Sequence, residues 1–111
     1  MLTDWHLGEV VTPSEAGGYA CNTSVAEQRV QATIDRMIEL TRHAFADLEY
    51  PGIICALGGD MASGGIHPEL AESDEMGVIV SAIAARDLII NSIAQLTACS
   101  TAHGSCLKVK T

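Results

Sequence analysis

Ile53-Ile54-Cys55-Ala56-Leu57-Gly58-Gly59-Asp60 is the stretch that decides how this chain is read. A continuous apolar run with β-branched residues at its head, held between Gly52 and a glycine pair, predicts a short strand buried on both faces, as strands of parallel sheets are. The strand is expected to end at Asp60, where the glycines let the backbone bend without a Cβ in the way. Ligands of open α/β sheets gather at this carboxyl edge. Asp60 is therefore a candidate for chemistry, the plainer reading being a side chain that caps the next turn.

Upstream, Ser24-Val25-Ala26-Glu27 fits a capping box and predicts the start of a helix. Val30, Ile34, Met37, Ile38, Thr41, Phe45 and Leu48 then recur at three- and four-residue steps, with Gln28, Arg29, Asp35, Arg36, Glu39 and Arg42 on the other side. Tyr50-Pro51-Gly52 ends that pattern. Downstream, a second helix is expected from about Asp74 to Thr97, on an apolar face supplied by Val78, Ile79, Ile83, Leu88, Ile89, Ile90, Ile93 and Leu96. Met1-Leu2-Thr3 is too short for a complete strand, and Asp4-Trp5-His6 falls where that strand would be ending. Residues 8–24 carry turn formers without periodicity and read as a loop. Strand, helix, strand, helix predicts the α/β class: a βαβα unit of a partial parallel-sheet sandwich, with a right-handed crossover. Residues 99–111 hold two lysines, no acid and no clear strand pattern, and are expected to be a poorly packed tail.

With 111 residues the chain is one domain, and 48% hydrophobic with 18% charged residues is the composition of a folded protein. A formal charge of -8 repels nucleic acid backbones and anionic lipids, so a phosphate-bearing partner would need a cation between. Cysteines at 21, 55, 99 and 106 form no tight framework, and no signal-like segment opens the chain, which predicts a reducing, cytoplasmic setting. Met76–Cys99 is apolar enough to suggest a membrane span, but Arg86 and Asp87 sit at its middle, where each costs about 2.5–3.5 kcal/mol on insertion scales. No membrane association is expected.

In Asp4-x-His6 a carboxylate and an imidazole two residues apart share one side of an extended strand, so both can reach a single cation beyond its end. With a neighbouring strand ending at Asp60, three donors would converge. Against this stands the plain reading of a solvent-exposed polar turn.

Taken together, Asp4-Trp5-His6-Leu7-Gly8-Glu9, the long helix after it, Gly58-Gly59-Asp60-Met61 and Gly65-Ile66-His67-Pro68-Glu69-Leu70 resemble the amino-terminal part of calcineurin-like metallophosphoesterases, especially large phage and prophage forms. The resemblance covers residues 1 to about 90 and assigns residues 1–98 to that domain. It implies hydrolysis of phosphate mono- or diesters, with nucleic acid among the candidate substrates, at a binuclear site of manganese, iron or zinc. Asp4 and His6 would ligate the first metal and Asp60 would bridge the two. His67 and Glu9 are candidates for a supporting or substrate role, against a simple loop before a helix whose amino end favours Glu69, Glu72, Asp74 and Glu75.

The family's later motifs, Gly-Asn-His and Gly-His-x-His, do not occur here. The expectation is an incomplete site, inactive alone, as in a truncated or frame-shifted reading frame. Two other classes compete. Cys99, His103 and Cys106, with Cys21 or Cys55, would make a small zinc module, though without the paired spacing of zinc fingers. A non-catalytic helical interaction protein would use the apolar helix faces, and exposed sheet edges would favour self-association.

Overall fold

The structure is a computed structural model, and it describes residues 1–44, 52–63, 74–101 and 108–110. Helix α1 spans Thr23–Glu39, and its cap is Asn22 rather than the expected Ser24. Asn22 is extended, and its Oδ1 accepts from the Val25 N–H at 2.9 Å, which satisfies one of the donors a helix start leaves open. Ser24 lies inside the first turn, where its hydroxyl accepts from Gln28 instead. Removing the cap with Asn22→Ala should lower unfolding free energy by about 1 kcal/mol in urea titrations, with the slope unchanged. The apolar stripe buries Ala26, Val30 and Ile34. Past Glu39 the helix widens into a π-helical turn, Leu40–Ala44. Phe45, Leu48 and the stop at Tyr50-Pro51 lie outside the described residues.

Helix α2 spans Val78–Thr101, starting later than the expected Asp74. Asp74 and Glu75 are taken up by tertiary contacts instead of a first turn. Asp74 pairs antiparallel with Glu9, the Glu75 N–H donates to the Gly8 carbonyl at 2.7 Å, and the Glu75 carboxylate accepts from the Thr23 N–H at 3.1 Å. One face of α2 buries Ser81, Ala85, Ser92, Leu96 and Cys99. Reciprocal amide hydrogen bonds between Gln31 and Gln95 tie α2 to α1. The opposite face leaves Ile79, Ile83 and Ile90 exposed. With a mean hydropathy of 1.4 over Val78–Cys99, α2 is long and apolar enough to cross a membrane, and Arg86 and Asp87 at its middle pair with each other at 2.7 Å.

Strand β1, Gly52–Ile54, pairs in parallel with β2, Lys108–Lys110, in the register Ile53↔Val109. Residues 99–101 thus extend α2, and part of the expected tail is strand. The strand expected over Ile53–Leu57 is shorter, and it is not buried on both faces: Ile54 is 83% and Leu57 48% exposed. An apolar run specifies what a segment would bury, not that a covering layer exists. After β1, residues 56–63 lie in parallel beside residues 2–7, through bridges Leu2↔Leu57 and Leu7↔Ala62. Leu2 packs with Ile34 and Leu96, Leu7 packs with Ala26 and Ala85, and Trp5 and Met61 touch both groups.

In the loop before α1, Val11 and Cys21 pair antiparallel, and the Thr12 hydroxyl and N–H both donate to Glu15 Oε2. These bonds hold the fully exposed Glu15 carboxyl below its ordinary value. A lowered folded value stabilises above the unfolded one and is lost as pH falls through the folded one. An NMR titration should place the Glu15 midpoint below that of an ordinary glutamate, and Thr12→Val, which removes the hydroxyl but keeps the backbone N–H, should return it part of the way.

Candidate metal centre

The backbone builds this site before any side chain enters. Leu2 N–H donates to the Ala56 carbonyl at 2.8 Å, Gly58 N–H to Leu2 at 2.8 Å, Asp4 N–H to Gly59 at 3.1 Å, His6 N–H to Asp60 at 3.0 Å and Leu7 N–H to Met61 at 3.2 Å. The close approach needs Gly58, because a Cβ there would stand 2.6 Å from the Thr3 Cβ. Buried Leu2 and Leu7 peg the first segment at both ends, so the exposed residues between them are held from below.

Along these two segments Asp4, His6 and Asp60 have φ of 57°, 48° and 53°. They are the non-glycine residues with positive φ among the described residues. Left-handed backbone costs L-residues roughly 1–2 kcal/mol each, although aspartate and histidine adopt it more readily than most. Strain of this kind persists only where the surroundings over-determine it. Here two pegs and a ladder of hydrogen bonds do so.

This geometry replaces the expected one. Asp4 and His6 do not share a face of a regular strand, because the first segment makes only isolated bridges and its backbone turns left-handed at both residues. The turns nonetheless bring the side chains together: one ligand atom from each of Asp4, His6 and Asp60 lies within 4.8 Å of the other two, and all three residues are exposed. Donors around a small divalent ion at about 2.1 Å stand roughly 3–4 Å apart, so modest rotamer adjustment closes the set. Two carboxylate oxygens and one imidazole nitrogen suit Mn, Fe or Zn, and their negative charge suits a cation.

Glu9 stands beside this set rather than in it: its Oε2 lies 3.3 Å from His6 Nδ1, with both side chains partly exposed. Of the other candidates, His67, Glu69, Glu72, His103 and Cys106 lie outside the described residues. Cys99 is buried on α2, and Cys21 and Cys55 are half-buried free thiols. His43 is exposed on the π-helical turn. Sequence reading gave Asp74, Glu75 and Ser81 no part in the site, yet they fix the loop after His6. A Cβ on Gly8, at φ +100°, would meet the buried Ser81 Oγ at 2.6 Å. The signal available was Gly77, a helix breaker placed between the acids and the apolar run. Comparison of the chain with family models, curated proteins and solved structures gives no significant match.

Proposed function

We propose that the chain carries the first ligands of a calcineurin-like metallophosphoesterase site in an α/β framework, and that Asp4, His6 and Asp60 hold a divalent cation that draws in a phosphate mono- or diester. The supporting observation is a coincidence of two independent properties. The non-glycine residues with positive φ among those described are the same three whose donor atoms converge. Strained backbone concentrates at functional sites, and three such residues converging on one point go beyond the single left-handed residue that a polar turn ordinarily uses.

A cation there would polarise a phosphoryl oxygen and lower the pKa of a bound water. The residues do the holding: Asp4 and His6 from one segment, Asp60 from the other, fixed by the backbone bonds between them. Such a cation also offsets, locally, the repulsion that a chain of charge -8 exerts on phosphate. Hydrolysis in the family draws on later motifs absent from these 111 residues, so turnover by this chain alone is not expected. The proposed setting is reducing and cytoplasmic, with Cys21, Cys55 and Cys99 as thiols.

Titration with inorganic phosphate, followed by calorimetry with and without Mn²⁺, tests the reading. Phosphate should bind only when Mn²⁺ is present, and the Mn²⁺-dependent heat should vanish in Asp4→Ala. Phosphate binding indifferent to Mn²⁺ would reject it. With bis-p-nitrophenyl phosphate, turnover should not exceed that of Mn²⁺ alone, and robust turnover lost in Asp60→Ala would show that the site is complete after all.

A further inference from the structure

We infer that Glu9 is a positioning residue for His6: its carboxylate engages imidazole Nδ1 and so leaves Nε2 as the nitrogen presented to a divalent cation. The inference rests on reading Asp4, His6 and Asp60 as the metal ligands. An ionised carboxylate only accepts, and a neutral imidazole carries one N–H and one lone pair. A carboxylate oxygen 3.3 Å from Nδ1 repels a lone pair on that nitrogen, so the proton belongs on Nδ1 and the lone pair on Nε2. Carboxylates behind ligating histidines fix the tautomer and ring orientation in this way.

Glu9 is built into place rather than merely near. Its N–H donates to the His6 carbonyl at 3.1 Å, closing a tight turn through Gly8 that returns the carboxylate toward the ring. From the other side Glu9 pairs antiparallel with Asp74, and the next residue, Glu75, donates its N–H to the Gly8 carbonyl. Gly8 itself lies against the fully buried Ser81 of α2. The turn is thus clamped between the residues that precede α2 and α2 itself, and the His6 ring is steered by an element distant in sequence. Glu9 is not one of the converging donors, which separates a positioning role from direct ligation.

Long-range ¹H–¹⁵N spectra of histidine-labelled protein, recorded without metal where the ring is neutral, read the tautomer directly. In the wild type His6 should carry its proton on Nδ1. Glu9→Ala should move it toward Nε2 and weaken Mn²⁺ binding about tenfold. Glu9→Gln, whose amide oxygen can take the place of the carboxylate oxygen beside Nδ1, should restore most of both. An unchanged tautomer in Glu9→Ala would overturn the inference, as would loss of Mn²⁺ affinity in Glu9→Gln equal to that in Glu9→Ala, the mark of a direct ligand. If the wild type binds no Mn²⁺ at these residues, the metal reading fails, while the metal-free tautomer still decides whether Glu9 orients His6. Should Glu9→Ala fail to fold, the wild-type and Glu9→Gln spectra decide: a wild-type proton on Nε2 would refute the inference.

Discussion

Asp60→Ala should weaken Mn²⁺ binding by at least about 100-fold in calorimetric titration while leaving the fold intact. Losing a residue behind a ligand costs 10–100-fold, and losing one of three ligands should cost no less. The fold is retained, at a cost of about 1 kcal/mol because alanine bears φ 53° less well than aspartate: the Asp60 side chain is exposed, and its structural duty is carried by its backbone carbonyl, which accepts from the His6 N–H. The necessary control is an acid that shares the overall charge but not the site. Asp35 on α1 is exposed and accepts from Gln31, its one hydrogen-bond partner among the described residues, so Asp35→Ala should bind Mn²⁺ as the wild type does. Equal losses in the two variants would mean that the cation responds to a charge of -8 and not to three converging donors.

His6→Gly should abolish the same binding and yet make the protein more stable. At φ 48° histidine occupies left-handed backbone at a cost of about 1–2 kcal/mol, which glycine does not incur. Against this, glycine adds roughly 0.5–1 kcal/mol of unfolded-state entropy. The contact with Glu9 is partly exposed and adds little. The balance spans about 0–1.5 kcal/mol and centres on a gain of about 0.7 kcal/mol, read as a rise of roughly 3–6 °C in melting temperature. Opposite signs for stability and binding in one variant are what a strained functional residue entails. A destabilised His6→Gly would show that the imidazole supports the fold rather than a ligand.

How much of this was legible in the sequence depends on how local each cause is. The stripe of Val30 and Ile34 is written at helical spacing, and both are buried. The helix start was misplaced because Asn22 and Ser24 are both good caps, and their choice turns on which oxygen reaches the Val25 N–H. The start of α2 was misplaced because Asp74 and Glu75 answer to Gly8, Glu9 and Thr23, partners no local pattern contains. Lys108–Lys110 is too short to display a strand period, so its pairing with β1 was illegible. Asp4, His6 and Asp60 were named from Asp-x-His and Gly-Asp, but the reason given was strand alternation. What brings them together is left-handed backbone held by buried leucines on either side, and side-chain periodicity carries no record of that.

The central claim, that these three side chains share one divalent ion, is tested most directly by paramagnetic broadening of ¹H–¹⁵N spectra with substoichiometric Mn²⁺. The account predicts that amides of residues 4–7 and 59–61 vanish first, while those of exposed Glu27, Asp35 and Glu39 on α1 persist. Broadening spread evenly over the acidic residues, or centred on α1, would contradict it.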